Sequence, residues 1–444
     1  MGLRADDCQT PSNSLVGVAV DLTATAELAI YACALTGVGA AMMLVMYRRL
    51  VLPLAGAFAV SLLGRIALIW ANERFHVFAP KLAGDTALDM YATITRSGME
   101  GLWRSKWLLQ TALNAPALYL LSPSRHIILA TNAFAMAFMA VVVHWYFREV
   151  ERSPRTAWFA FAVLSALPSG VNFSLFGLRD PLLALLIAVY AVGSLTMVTD
   201  RRWRRVALVA MVGAFGLIGS VRVQLLPLIA PLPLLLMLGS VRRGSSAGGQ
   251  TSRDRLAATA MTLPVLVGML VVLLGASGRL ALGATGIDEA DEVTEYASRR
   301  FERQFSGGSV GGGSAIVSPQ LYHALPLAAR WPLQVFGLVV LPAPWLIRNA
   351  ATALAFTDTI VLLWLLRLMW RRRKFGDAAS RGNAAALVVT FALGIAAMGA
   401  VVTNAGNGFR MRLSLWPLLV VAAGIVHAAW VRAGAPAPNR NRSY

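Results

Sequence analysis

Charge is what this chain has least of. Only 14% of its 444 residues are Asp, Glu, Lys or Arg, against about 25% in soluble domains. So few ionic groups exclude an ordinary water-facing globular surface. Acidic residues are scarcer still, 21 against 40 Lys and Arg, for a formal net charge of +19. Cysteine is nearly absent. Cys8 and Cys33 form neither a metal-ligand spacing nor a disulfide framework. The long apolar runs lack period-2 alternation, which excludes outer-membrane strands. No basic stretch leads into a short apolar run at the start, where Asp6 and Asp7 stand, so no cleavable signal peptide is expected. No repeat with a period of about 20–50 residues is evident.

What is present is hydrophobicity, 57% of the residues. Apolar runs of about 20 residues, the length needed to cross a bilayer as a helix, recur along the chain. The fold class expected is all-α, a polytopic membrane protein with about eleven transmembrane helices and interfacial helices on the outside face. The spans read as 24–46, 51–71, 127–147, 156–175, 181–199, 206–220, 223–240, 256–275, 352–371, 384–402 and 413–432. Residues 1–444 form a single transmembrane unit in this reading, without a separate soluble domain.

The basic residues carry topology rather than nucleic-acid affinity. Arg48-Arg49, Arg148 to Arg155, Arg201 to Arg205, Arg242-Arg243, Arg371 to Lys374, and Arg440 with Arg442 all fall on one side of the spans. Short cytoplasmic loops are enriched in Lys and Arg, so the N-terminus is expected outside and the C-terminus inside. Two long outside segments follow. Residues 72–126 include an interfacial helix over 107–121. Residues 276–351 hold an acidic run at 288–292, a Gly/Ser-rich stretch and an interfacial helix pair between Trp331 and Trp345. A short outside loop spans 403–412.

The outward ends collect polar residues where polarity is costly. Asp85 and Asp89, spaced i,i+4, share one helical face with Arg96 and Glu100. Asn172, Arg179 and Asp180 lie between the fourth and fifth spans. Arg222 and Gln224 occupy a tight turn, and Arg410 and Arg412 sit beside a Gly/Asn turn. Arginine suits phosphate because its planar fork donates two parallel hydrogen bonds and stays charged. A carboxylate beside such arginines could deprotonate an acceptor hydroxyl while phosphate leaves. Each group also has a plainer reading. Asp85 and Asp89 could pair with Arg96 on a solvated helix. Asp180 before Pro181 reads as a helix cap. Arg179 could snorkel, Arg222 could be simply solvated, and Arg410 and Arg412 could bind anionic headgroups. Arg65 is the main charged residue inside a span.

Three of these patterns together resemble the GT-C superfamily of polyprenyl-phosphate-sugar-dependent membrane glycosyltransferases and the related polysaccharide polymerases. They are Gly84-Asp85 through Tyr91, Gly177-Leu178-Arg179-Asp180-Pro181, and Arg410-Met411-Arg412 ahead of Pro417. The pattern departs from the superfamily in having its acidic loop after the second span and its two carboxylates four residues apart. The resemblance implies a catalytic or metal-assisting role for Asp85 or Asp89, and lipid-phosphate contacts from Arg179, Arg222, Arg410 and Arg412. A divalent cation would be the cofactor if the carboxylate assists a metal. The partners implied are a polyprenyl-linked sugar donor, a glycan or lipid acceptor and membrane lipids. The expected function is glycosyl transfer in cell-envelope glycan synthesis, on the outer face of the cytoplasmic membrane. The alternatives are a transporter or flippase for a lipid-linked anion, and a non-catalytic scaffold.

Overall fold

A computed structural model of the chain describes residues 13–49, 51–75, 113–114, 125–175, 179–222, 225–241, 325, 327–340, 344, 347, 350–399 and 405–434. Among these residues every regular element is helical. In chain order they are α1 (Asn13–Tyr47), α2 (Leu52–Phe75), α3 (Arg125–Trp145, extended by a π turn over Tyr146–Val150), α4 (Pro154–Ser165) and α5 (Pro168–Ser174). Then come α6 (Asp180–Thr199), α7 (Arg204–Arg222), α8 (Leu226–Ile229), α9 (Leu232–Val241), α10 (Leu327–Val340), α11 (Ala350–Arg372), α12 (Ala378–Gly399) and α13 (Ala405–Arg432).

Eight of these helices are long and apolar enough to cross a membrane, and α4 with α5 make a ninth if the bent pair is one span. The count is below the eleven expected. The run 223–240 is not one helix but the short pair α8 and α9. Pro227, Pro231 and Pro233 explain this, since each lacks the N–H and crowds the preceding turn. The expected span 256–275 lies outside the described residues. The run 156–175 is interrupted as well. Pro168 holds Leu167 in an extended conformation (φ −58°, ψ 119°), and α4 and α5 meet at 48°.

Three helices form the spine. In α3, α6 and α13, 89%, 78% and 83% of the apolar span is buried within the protein. The span of α6 is apolar on every face, as a helix surrounded by other helices must be. By contrast only 28% of the α1 span and 33% of the α2 and α7 spans are buried. Their outer faces present Val45, Val60 and Val209, which suits a lipid surround and not water. Helices in a bilayer gain little from apolar burial against one another, so close approach and hydrogen bonds matter more. Gly193 on α6 provides such an approach to α7. A Cβ built there would lie 3.0 Å from the Ala207 carbonyl oxygen and 3.2 Å from Met211 Cβ. Hydrogen bonds link further helices: Tyr47 with His144 Nδ1 at 2.8 Å, and Thr156 with His427 Nδ1 at 3.0 Å.

One end of the bundle gathers arginines and tryptophans. Arg48, at the end of α1, stands 5.6 Å from the Trp203 ring centre, and Trp203 meets Trp145 edge to face. Arg432 donates to Glu151 at 2.9 Å, and Tyr146 donates to the same carboxylate. Arg372 lies 3.9 Å over Trp430. The clusters around 48, 148–155, 201–205 and 371–374 therefore share one end, as their sequence parity requires. Arg242, Arg243, Arg440 and Arg442 lie outside the described residues.

Gly193→Val should overpack the α6–α7 crossing against backbone and cost about 1–3 kcal/mol, lowering the melting temperature of the detergent-solubilised protein. Gly37→Ala, with nothing within 4 Å of the added Cβ, should leave it unchanged. Equal melting temperatures for the two variants would show that the crossing is not tightly packed.

Candidate functional site

Away from the arginine–tryptophan end, the bundle buries two carboxylate–guanidinium pairs. Asp358, the one acidic residue of α11, is fully buried. Its Oδ2 lies 3.1 Å from Arg412 Nη2 on α13. Such a pair is tolerated in an apolar bundle only when nearly every donor and acceptor is satisfied. Here the Ser169 backbone N–H donates to Asp358 Oδ1 at 3.1 Å, and Trp416 Nε1 donates to Oδ2 at 2.9 Å. Arg412 Nη1 donates to the carbonyls of Leu338 (3.2 Å) and Val339 (3.1 Å) and to Thr359 Oγ1 (3.3 Å). The carbonyls at the C-terminus of α10 have no partners within that helix, and a cation there also matches the helix dipole. One ion pair thus joins α5, α10, α11 and α13.

The second pair ties α6 to α7. Arg222 Nη2 lies 2.9 Å from Asp180 Oδ1, and the carboxylate is fully buried. Asp180 is the first residue of α6, with Arg179 in the cap position before it, and its carboxylate enters an interhelical ion pair rather than the cap role expected from Asp180-Pro181. Arg222 is not in a turn either. The helical ladder of α7 runs through Gly219 and Ser220 to Arg222. Arg179 is half-buried immediately before α6, and its carbonyl accepts the Leu183 N–H at 3.1 Å.

The expected loop 403–412 is also corrected. From Ala405 onward it is the beginning of α13, despite Gly406 and Gly408. The buried anchorage of Arg412 outweighs the turn propensity of those glycines. Asp85 and Asp89 lie outside the described residues. Among the described residues no three of His, Cys, Asp or Glu converge on one point.

A third buried charge stands apart from these pairs. Arg65 on α2 is 3% exposed, and its Nη2 donates to the Ser165 carbonyl at 2.7 Å, at the α4–α5 break. Asp358 and Trp416, which no sequence motif flagged, are central to the geometry. The available signal for Asp358 was a lone acidic residue within an apolar run, which is costly enough to require a partner. The class defined by these features is a multi-pass helical membrane bundle with buried charge concentrated toward one end. No protein-family model, characterised protein or solved structure matches the chain.

Arg412→Gln should strand the Asp358 carboxylate and cost about 3–5 kcal/mol, visible as reduced folded yield and a lower melting temperature. Adding Asp358→Asn should restore part of that loss, because the two residues are coupled. Wild-type stability in Arg412→Gln would mean that the guanidinium does not hold the junction.

Proposed function

We propose that this protein is a cell-envelope glycosyltransferase of the membrane. In this reading it transfers a glycosyl group from a polyprenyl-phosphate- or pyrophosphate-linked sugar to an acceptor on the outer face of the cytoplasmic membrane. The observation that carries the reading is the separation of charge along the bundle. Exposed arginines crowd one end, while the buried carboxylate–guanidinium pairs lie toward the other. Short cytoplasmic loops favour Lys and Arg, which assigns the arginine end, and with it the C-terminus, to the inside. The N-terminus and the pairs Asp180–Arg222 and Asp358–Arg412 then belong to the outward side.

The chemistry follows from this placement. A carboxylate removes the acceptor hydroxyl proton, the hydroxyl oxygen attacks the anomeric carbon, and the lipid phosphate or pyrophosphate leaves with the bonding electron pair. Asp85 and Asp89 are the candidate bases, with Asp85 preferred because it is nearer the start of the outside segment. Arg179 and Arg410 remain candidates for the phosphate. Arg222 and Arg412 are engaged with carboxylates inside the protein, so their part is to hold the walls of the site. Asp85→Asn, Asp89→Asn and the double variant should progressively abolish envelope glycan in a complementation assay. Full glycan synthesis by the double variant would sink the carboxylate mechanism.

The broken α4–α5 span favours a second reading, a flippase for a lipid-linked anion. Discontinuous helices with a charged residue at the break are characteristic of transporters. Vesicles containing the purified protein distinguish the two. A covalent glycosyl product supports transfer, whereas movement of the lipid-linked substrate between leaflets without a product supports transport.

A further inference from the structure

Arg65 has more donors than the protein uses. Its side chain is only 3% exposed, and among the described residues only Nη2 has a hydrogen-bond partner, the Ser165 carbonyl. Nε and Nη1 are buried without one. A guanidinium offers two forks, Nε with one Nη2 hydrogen and Nη1 with the other. Whichever hydrogen Ser165 accepts, the other Nη2 hydrogen belongs to a fork whose second nitrogen is unpartnered. One complete bidentate fork is therefore uncommitted. The contrast with Arg412, which is charge-paired to Asp358, is clear.

The surroundings are rich in hydroxyl groups. Ser61 lies one turn before Arg65 on the same face of α2, and its Oγ is buried without a partner. The Oγ of Ser165 shares that condition, whereas Ser169 is turned to the Asp358 carboxylate. Ser165 is the residue whose carbonyl takes Arg65. Just past the break, an added Cβ at Gly170 would lie 3.8 Å from Arg65 Nη2 and overlap Met136. Position along the bundle is consistent between the two elements. Arg65 lies about 20 Å along α2 from its start, and Ser165 about 17 Å along α4 from its start, at a rise of about 1.5 Å per residue. Both starts adjoin the arginine-rich end, so the cluster sits beyond the middle of the bundle.

We infer that Arg65, with Ser61 and Ser165, forms a binding site for a phosphate group. A planar fork matches two oxygens of a tetrahedral oxyanion, and serine hydroxyls can donate to the others. The site stands on the geometry of Arg65. It rests on the glycosyl-transfer reading only for the expectation that the phosphate is carried by a polyprenyl chain. It would place the lipid phosphate on Arg65, and leave the paired arginines of α7 and α13 to scaffold the bundle.

The test uses the full-length protein in nanodiscs of zwitterionic lipid. Binding is measured for a polyprenyl monophosphate, the corresponding neutral polyprenol and inorganic phosphate, by native mass spectrometry and by ligand-dependent thermal shift. The polyprenyl monophosphate should bind at least about tenfold more tightly than the polyprenol, as a charge-assisted bidentate contact implies. Arg65→Gln should remove that preference, and Arg65→Lys, which keeps charge but loses the fork, should recover only part of it. Binding of inorganic phosphate as tight as the lipid phosphate, lost in Arg65→Gln, would assign the same site to a free anion. No preference for phosphate over polyprenol in the wild type, together with no binding of inorganic phosphate, overturns the site even if the variants fail to fold. So does an undiminished preference in folded Arg65→Gln. Phosphate binding that depends on Arg65, in a protein that forms no glycosyl product, would keep the site and reject the transfer reading.

Discussion

Burying the Asp358–Arg412 pair imposes a strict constraint on everything around it. Two opposite charges removed from water recover their desolvation cost only with good geometry and with their remaining donors and acceptors satisfied. The partners come from four helices: a backbone N–H at the head of α5, carbonyls at the tail of α10, Thr359 on α11 and Trp416 on α13. Movement of any one of them exposes a charge to an apolar environment. The junction therefore holds in register helices that apolar packing alone would leave free to slide. It also explains why α10, too short to span a bilayer, is held against the bundle at its C-terminal end.

The Pro168 break has a second consequence. It supplies a free carbonyl at Ser165 for Arg65 and a free N–H at Ser169 for Asp358. In an uninterrupted helix both groups would be consumed by the i to i−4 ladder. A single proline thus gives two buried charges their backbone partners, one on each side of the bend. The arginines divide accordingly. Arg222 and Arg412 are held by carboxylates, while Arg65 keeps a fork uncommitted. That division bears on function because an arginine already paired within the protein has less to offer a substrate phosphate.

The spans were largely legible because length and apolarity are local properties. Runs such as 181–199 and 413–432 announce themselves. Proline marked the places where that signal fails, at 227, 231 and 233 and again at 168. The candidate site was far less legible. Arg412 drew notice as half of an Arg-x-Arg motif, yet its role depends on Asp358, 54 positions earlier by subtraction of the two residue numbers. Gly406 and Gly408 suggested a turn, but the anchored arginine keeps that stretch helical. Asp180 looked like a cap because its neighbour is proline. Its carboxylate meets Arg222 instead, because a buried carboxylate left without its cation would be costly.

By itself the sequence determined an all-α, multi-pass architecture and the sharing of one end by the basic clusters around 48, 148–155, 201–205 and 371–374. Both follow from composition and from counting along the chain, because a helix in lipid satisfies its own backbone and needs only length and hydrophobicity. Tertiary structure alone decided which charges meet. Pairing between Asp358 and Arg412, between Asp180 and Arg222, and between Arg65 and the Ser165 carbonyl depends on helix rotation and depth. Those are set by contacts between segments far apart in sequence, and no local pattern encodes them.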